Sequence, residues 1–394
     1  MNLIIGSLAL SAVGLISLMI GGETLVLGAS RTAQRFRIHP AIIGLTIVAF
    51  ATSVPELCVS IIAITKAHPS PDIAVGNVFG SNVFNTLMVI GVAAWMTGKK
   101  KDPLRVQKTV FKRELLECAL LTIGIAGLLF LMPENGAPTI PVWLGVLLLA
   151  GLVGMLYRLV RDARSMPIDS TLEEEEPQTS LILCALGLSV LTFIALQLSA
   201  ERFPLQFSST TNLQILLIVA GISLAMNLRA SGMIGPLILG LATLIAGSNL
   251  LVVGAQGLAL EFGLTDAVIA LVGIAIGTSA PELATTVSAV RRNDVDMAVG
   301  NAVGSNLFNL LAVLGGTSVT HGILNQESTL GPLNPRLPWD ALMAGSALVL
   351  ILVVARKTPH ILSKSVGLLM ILAWFLYLTS MAWEPQIALS ASLP

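Results

Sequence analysis

The sequence predicts an all-α polytopic membrane protein made of two inverted-topology repeats of five transmembrane helices each, with broken helices at the midplane. Composition, the length of the apolar stretches and an internal repeat all point to it. Hydrophobic residues make up 55% of the 394 residues and charged residues only 11%, whereas soluble domains carry about 25% charged residues. The formal net charge is zero and basic residues are not interleaved with aromatics. The lipid bilayer is therefore an expected partner and nucleic acid is not.

Twelve apolar stretches are long enough to cross a bilayer, which takes about 20 residues. The stretches at 180–200 and 212–229 form an extra helix pair between the repeats, and 212–229 is the shortest. The predicted spans lie near 3–30, 39–66, 72–97, 114–132, 139–158, 180–200, 212–229, 233–262, 265–290, 295–319, 337–356 and 361–383.

Charge sets the expected orientation of these spans. If the N-terminus lies outside, all but three of the 22 Lys and Arg residues fall on the inner side, the exceptions being Lys66, Arg202 and Arg336. This asymmetry fits the positive-inside rule, and a missed helix would scramble it. We therefore expect about 12 spans with both termini outside. The short loops favour a prokaryotic inner (plasma) membrane.

An internal repeat divides the chain. The phrase "VAFATSVPELCVS" at 48–60 returns as "IAIGTSAPELATT" at 274–286, and "GNVFGSNVFNTLMVIG" at 76–91 returns as "GNAVGSNLFNLLAVLG" at 300–315. The predicted domains are a first repeat at 1–168, an acidic linker with the inserted helix pair at 169–231, and a second repeat at 232–394. In the predicted topology the first repeat enters the membrane from outside and the second from inside, so the repeats have opposite orientations, and the inserted pair, being even in number, preserves this inversion. Inverted repeats are typical of secondary transporters, whose binding site lies at the midplane.

The first motif predicts a cation site. Pro55 and Pro281 lack an amide hydrogen, so each is expected to free a helical carbonyl, and such carbonyls are tolerated in a bilayer where they line a cavity. Glu56 and Glu282 directly follow the prolines. Carboxylates, carbonyls and hydroxyls together suit hard cations, above all Ca²⁺. No histidine lies in either copy of this motif, which argues against zinc or copper.

The second motif places polar residues four apart, so that they share one helix face. They are Asn77, Ser81 and Asn85 in the first repeat and Asn301, Ser305 and Asn309 in the second. The glycine pairs Gly76–Gly80 and Gly300–Gly304 predict close helix packing. Either motif alone could be structural, as a kinked packing helix or as interhelical polar contacts. Their duplication in the same order favours a functional site, since carboxylates within the membrane are functional by default.

The other polar residues in or near the spans have simpler expected roles. Glu23 is expected to make a structural polar contact, and Asp72 and Asp296 are expected to cap helix N-termini. His321 is expected at the surface. The sequence shows no nucleophile–base pair and no phosphate-binding loop, so we expect no catalytic residues and no cofactor.

The paired motifs resemble the two alpha-repeats of the calcium/cation antiporter superfamily, most closely those of prokaryotic Na⁺/Ca²⁺ exchangers. The resemblance covers both repeats but not the inserted helix pair, which adds to the family's usual ten spans. It implies that Glu56 and Glu282 are shared Ca²⁺ and Na⁺ ligands, joined on Ca²⁺ by the backbone carbonyls of Thr52 and Thr278. It also implies that long helices at 2–33 and 233–262 slide across a rigid core.

The resemblance further implies two flanking Na⁺ sites and a set of residues lining the centre. One Na⁺ site would use Ala49, Thr52 and Ser81, the other Ala275, Thr278 and Ser305, and the centre would be lined by Ser53, Ser279, Asn85 and Asn309.

Several relatives carry aspartate at the position of Asn309, where an acid is linked to K⁺ dependence. Asn309 therefore argues against K⁺ cotransport and leaves two central carboxylates. Their charge balances one Ca²⁺ or two Na⁺, which makes the two occupancies mutually exclusive.

The leading hypothesis from the sequence is Na⁺-driven Ca²⁺ antiport by alternating access. H⁺/Ca²⁺ antiport through the same glutamate pair is the alternative, because a desolvated glutamate readily takes up a proton. The serine and amide side chains favour Na⁺, since protons do not need them. A remote alternative is an intramembrane hydrolase that uses the glutamates as acid and base, but the near-symmetry of the motifs disfavours it.

Overall fold

The structure, a computed structural model, describes residues 2–65, 69–97, 108–131, 133–134, 136–163, 234–261, 266–357 and 362–391. The helices of the first half are α1 (Asn2–Phe36), α2 (Pro40–Ile43), α3 (Ala49–Thr52), α4 (Val54–Thr65), α5 (Pro71–Phe84), α6 (Ile90–Thr97), α7 (Lys108–Leu131) and α8 (Val142–Ala163). Those of the second half are α9 (Ile234–Glu261), α10 (Asp266–Arg291), α11 (Val295–Phe308), α12 (Gly315–Asn325), α13 (Leu337–Lys357) and α14 (Lys364–Ala391).

These helices coincide with the predicted spans, apart from 180–200 and 212–229, which lie outside the described residues together with the acidic linker. Within the described part of the chain, six helical segments are long and apolar enough to cross a membrane, and three shorter apolar helices accompany them. The protein is thus an all-α polytopic membrane protein. The count of 12 spans stays a prediction.

Irregular backbone occurs in both motif regions, but the prolines do not produce it equally. In the first repeat the helix is interrupted at Ser53, between α3 and α4. In the second repeat α10 runs through Pro281 without a break, so the expectation of broken helices in both repeats is wrong for this helix. A proline can bend a helix without ending it, because neighbouring residues keep their hydrogen bonds. Further irregularity comes from π-helical segments at Gly44–Val48, Asn85–Val89 and Asn309–Leu314.

The two long helices α1 and α9 pack backbone against backbone. A Cβ atom added at Gly14 would lie 2.7 Å from the backbone nitrogen of Leu251, and one at Gly247 would lie 2.9 Å from that of Leu18. Contacts this short exclude any side chain larger than hydrogen unless the helices move apart. Small residues repeated along both helices therefore join α1 and α9 into one unit.

In the second repeat, the glycine pair Gly300–Gly304 makes the expected close contacts. A Cβ atom at Gly300 would lie 2.7 Å from the carbonyl oxygen of Ala41, and one at Gly304 would lie 2.7 Å from Cβ of Ala49. In the first repeat, Gly76 has ordinary clearance and no described atom lies within 4 Å of a Cβ placed at Gly80, so the close packing predicted for this pair is wrong for the described residues. Among the described residues, close packing is thus seen in the second repeat.

Contacts between loops and helix ends group the segments into two sets. In one set, β3 (Ile140–Pro141) pairs with β4 (Thr329–Leu330), Asp72 accepts a hydrogen bond from the backbone of Asn334, and Arg336 donates to Ser380. All these segments belong to the side predicted as outer. The neighbouring turn holds a second two-residue pair, β1 (Pro133–Glu134) with β2 (Ala137–Pro138). The sequence analysis did not predict these strands.

The second set joins segments predicted to lie on the inner side. Glu23 forms an ion pair with Arg291 at 3.1 Å, which is the structural polar contact expected of it, and His39 lies 3.9 Å from Asp296. The capping prediction is wrong in detail, because Asp294 rather than Asp296 accepts the hydrogen bond from the first turn of α11, at Met297.

His321 is another correction, since it is buried rather than at the surface. It lies in α12, with 3% of its surface exposed, and contacts Glu327 and Asn325 through its two ring nitrogens, each at 2.9 Å. The polar partners explain how a histidine can be accommodated there.

A cluster of charges joins α7 to α8. Glu114 is fully buried and lies 2.7 Å from Arg113 and 3.8 Å from Arg158. Arg113 also pairs with Asp162, and Arg158 pairs with Glu117 through two hydrogen bonds. A buried carboxylate is costly when its charge is uncompensated, so these arginines stabilise the pairing of α7 with α8.

We expect Arg113→Ala to destabilise the protein by about 1–3 kcal/mol, because it leaves the Glu114 carboxylate with weaker compensation. The measurement is the thermal unfolding midpoint of the purified protein in detergent. Adding Glu114→Gln to Arg113→Ala removes the uncompensated charge and should restore much of the loss. Equal midpoints for wild type and Arg113→Ala would contradict this interpretation.

Candidate functional site

Two fully buried glutamates form the centre of the site. Glu56 lies in the first turn of α4, just after the interruption at Ser53, and Glu282 lies inside α10 directly after Pro281. Both have no exposed surface, and the two carboxylates are near enough to interact electrostatically. Burying a carboxylate is unfavourable unless other groups satisfy it.

One asparagine in each repeat holds the acidic helix of the same repeat. The Nδ2 group of Asn77 donates to the backbone carbonyl of Glu56 and to Oγ of Ser60, both at 3.0 Å. Asn301 does the same in the second repeat, donating to the carbonyl of Glu282 and to Oγ1 of Thr286, both at 3.3 Å. These bonds fix α5 to α4 and α11 to α10.

The side-chain oxygens of the same asparagines reach across to the other repeat. Thr278 donates to Oδ1 of Asn77 at 3.2 Å and lies 3.3 Å from the Ser81 hydroxyl. Thr52 donates to Oδ1 of Asn301 at 3.2 Å and lies 3.2 Å from the Ser305 hydroxyl. Each half of the site is therefore built from one helix of each repeat.

The contacts between these side chains differ from the grouping expected for the Na⁺ ligands, and which residues bind Na⁺ stays a proposal. Ser305, rather than Ser81, accompanies Thr52 and Ala49, and its hydroxyl lies 3.5 Å from the Ala49 carbonyl oxygen. Ser81, rather than Ser305, accompanies Thr278. The sequence motifs could not reveal this exchange, because it depends on how the two repeats interlock. The structure describes Ala275 only as part of the α10 backbone, so its contribution stays a prediction.

The hydroxyl groups around the carboxylates follow the same crossed pattern. Ser279 donates to Oε1 of Glu56 at 3.2 Å, and the hydroxyls of Ser81 and Thr278 lie beside this carboxylate. The hydroxyls of Thr52 and Ser305 lie beside the carboxylate of Glu282. Each glutamate thus belongs to one repeat, while hydroxyls on helices of both repeats surround it.

Several buried atoms at the centre have no hydrogen-bond partner among the residues that the structure describes. They are Oγ of Ser53, Oε2 of Glu56, both carboxylate oxygens of Glu282, both amide atoms of Asn85 and Oδ1 of Asn309. Buried polar atoms are normally satisfied, and most of these are acceptor oxygens that receive no hydrogen bond from the described residues. Elsewhere in the described chain, Glu114 also has such an oxygen, but arginines compensate its charge. Bare oxygens beside two carboxylates are what a hard cation binds.

The sequence analysis missed five polar residues that support this centre: Ser60, Asn82, Thr86, Thr286 and Asn306. Asn82 donates to the backbone carbonyl of Asn306 at 3.3 Å, and Asn306 donates to Thr86 at 2.9 Å. Asn82 and Asn306 occupy the same position in the two copies of the second motif. This duplication could have identified the two asparagines from the sequence, but both residues lie outside the pattern of polar residues spaced four apart.

Comparison with known proteins agrees with this geometry. A family model described as "Sodium/calcium exchanger protein" matches residues 6–161 and 232–383. The inner membrane protein YrbG of Escherichia coli is 30% identical over 96% of this chain and 98% of its own length. CaxA of Alkalimonas amylolytica, which bears the name of an antiporter, is 35% identical over 79% of this chain and 81% of its own. The sodium/calcium exchanger MaX1 of Methanosarcina acetivorans is 26% identical over 80% of this chain and 84% of its own.

Solved structures share the fold. The sodium-calcium exchanger NCX_Mj, soaked without Na⁺ and Ca²⁺, superposes with a TM-score of 0.66 over 96% of this chain and 99% of its own, at 23% identity. The arrangement of helices is therefore the same in outline.

Proposed function

Because the chain belongs to the sodium/calcium exchanger family, we propose that it exchanges Ca²⁺ for Na⁺ across a membrane by alternating access. Family membership makes it an integral membrane antiporter of Ca²⁺ and other cations, and not an enzyme, so the hydrolase hypothesis is abandoned. The ions are its substrates, and no cofactor is needed. Sodium as the coupling ion is the finer part of the proposal, and the name of the relative MaX1 supports it.

The observation that carries the proposal is the pair of buried carboxylates, Glu56 and Glu282, three of whose four oxygens have no hydrogen-bond partner among the described residues. Ca²⁺ would bind between them, joined by the backbone carbonyls of Thr52 and Thr278. Two negative charges match one Ca²⁺, which takes 6–8 oxygen ligands in flexible geometry. Ser53, Ser279, Asn85 and Asn309 would line the centre.

Two Na⁺ ions would occupy the flanking positions in place of Ca²⁺. The contacts support one Na⁺ position at Ala49, Thr52 and Ser305, beside Glu282. By the pseudo-symmetry of the repeats, the other uses Ala275, Thr278 and Ser81, beside Glu56. Because both ions need the same glutamates, Na⁺ and Ca²⁺ would exclude each other, and that exclusion couples their transport.

The close packing of α1 against α9 supports a moving unit made of these two helices. They would slide together across the remaining helices and open the site to each side in turn. The contacts that group the outer and inner segments are consistent with the predicted inversion of the repeats. The 12 spans, the external termini and the prokaryotic inner membrane belong to the same proposal.

Ion gradients across proteoliposomes test the coupling ion. We expect an outward Na⁺ gradient to drive Ca²⁺ uptake, and an outward H⁺ gradient in Na⁺-free buffer to drive little. Vesicles without protein, and vesicles with K⁺ in place of Na⁺, are the controls. Uptake driven by the H⁺ gradient alone would establish H⁺/Ca²⁺ antiport instead, because the same glutamate pair can carry protons. Absence of Ca²⁺ uptake under both gradients would contradict the proposal.

A further inference from the structure

We propose that Asn82 is a positioning residue, which fixes the side-chain amide of Asn309 so that Asn309 offers its oxygen, and not its amino group, to the transported cation. The inference rests on the proposed function, since it concerns a ligand of the same cation site. The asparagines concerned are buried at the two junctions where α5 and α11 continue into π-helical segments.

The orientation of the Asn82 amide follows from its partner. Its Nδ2 group donates to the backbone carbonyl of Asn306 at 3.3 Å, and a carbonyl oxygen can only accept hydrogen bonds. The amino end of Asn82 must therefore face Asn306, and its Oδ1 atom faces away from that carbonyl. Asn82 is fully buried, so water does not compete for these groups.

The orientation of the Asn309 amide follows in turn. Its Nδ2 group donates to Oδ1 of Asn82 at 3.1 Å, and Oδ1 can only accept. Turning the Asn309 amide over would place two oxygens against each other. The amino group of Asn309 is thereby held against Asn82, and its Oδ1 atom is buried and has no hydrogen-bond partner among the described residues. Asn309 lies one turn beyond Ser305, on the helix face that carries the site.

The corresponding bond in the other repeat is not formed. By the repeat symmetry, Nδ2 of Asn85 would donate to Oδ1 of Asn306, but both of these atoms are buried without a partner. Asn306 instead donates to Thr86 at 2.9 Å, and the position of Thr86 is occupied by Leu310 in the second repeat. Within the described part of the chain, one of the two central amides is thus fixed and the other has no hydrogen-bond partner.

This asymmetry gives the two central asparagines different roles. Asn309 is a fixed oxygen ligand, which suits Na⁺ and Ca²⁺. Asn85 can present either end. An aspartate at position 309 would bring a carboxylate against Oδ1 of Asn82, so in this chain Asn82 and Asn309 form a matched pair.

The test compares Asn82→Leu with Asn306→Leu in the purified full-length protein. The two asparagines occupy equivalent positions and are equally buried, but only Asn82 holds a central amide. We expect Asn82→Leu to weaken Ca²⁺ and Na⁺ binding, measured by isothermal titration calorimetry, by about fivefold or more, the size of one net hydrogen bond. Asn306→Leu keeps the backbone carbonyl that orients Asn82, so it should weaken both affinities less than Asn82→Leu does. In proteoliposomes, the Asn82 variant should raise KM for Ca²⁺ more than it lowers the maximal rate.

A double-mutant cycle separates positioning from general stability. If Asn82 acts through Asn309, Asn82→Leu should cause no further loss of affinity in an Asn309→Leu background. Additive losses, or equal losses for Asn82→Leu and Asn306→Leu, would overturn the inference and leave the proposed function intact. Wild-type protein that binds neither Ca²⁺ nor Na⁺ would overturn both. If Asn82→Leu does not fold, Asn82→Ala removes the same acceptor, and this variant then takes the place of Asn82→Leu in each of these measurements.

Discussion

Replacing either central glutamate by glutamine, in Glu56→Gln or Glu282→Gln, is expected to abolish Ca²⁺ uptake into proteoliposomes. The side chain keeps its size, so the effect is one of charge. Both carboxylates are fully buried, and removing one leaves a single negative charge to balance a divalent cation. At an effective dielectric constant near 20, a unit charge pair 4 Å apart interacts by about 4 kcal/mol. We therefore expect Ca²⁺ affinity to fall by at least about 100-fold.

A matched control for this experiment is Glu117→Gln, which also neutralises a glutamate in a membrane-spanning helix. Glu117 lies within α7, is paired with Arg158 of α8 and is partly exposed. We expect this variant to retain Ca²⁺ uptake, with some loss of stability. Full uptake by either central variant, at wild-type Ca²⁺ concentration dependence, would remove that glutamate from the site.

The second large effect is expected from Gly304→Ala, which adds one methyl group in the second motif. This Cβ atom would lie 2.7 Å from Cβ of Ala49 and 2.8 Å from the carbonyl oxygen of Leu45. Overpacking of this kind costs about 1–3 kcal/mol, although alanine is intrinsically the better helix former. The neighbouring Ser305 would move away from Thr52 and Ala49, whose contacts with it form one proposed Na⁺ position. We expect a lower melting temperature and Na⁺-driven transport reduced about tenfold or more.

Gly154→Ala is the control for the added methyl group. Gly154 lies exposed in α8, and no described atom lies within 4 Å of a Cβ placed there. Here the helix propensity of alanine should act alone, leaving transport unchanged and stability equal or slightly higher. Equal behaviour of the two variants would show that α11 does not depend on its close approach to Ala49 and Leu45.

Much of this protein could be predicted from the sequence because the bilayer leaves few choices. Long apolar stretches must be helices there, since every backbone group has to be satisfied internally. The duplicated motifs marked Glu56 and Glu282, and the spacing by four marked Asn77, Ser81 and Asn85 with their counterparts. These are local properties, carried by residue type and helical periodicity.

The pairing of these residues across the two repeats could not be predicted from the sequence in the same way. Thr52 with Ser305 and Thr278 with Ser81 are contacts between repeats, and a helical period relates only residues within one helix. The break at Ser53 and the unbroken path through Pro281 differ, although the two phrases are nearly identical, because a proline's effect depends on what packs around the helix.

The orientations of the buried amides show most clearly which features the sequence determined and which only the tertiary structure decided. By itself the sequence determined that the chain contains two copies of an asparagine-rich motif, one in each repeat, and that each repeat also carries a glutamate within the membrane. Which oxygen faces the centre depends on a chain of donors and acceptors from Asn306 through Asn82 to Asn309, across two helices. A buried amide must match its partners atom by atom, and those partners meet only when the repeats have interlocked.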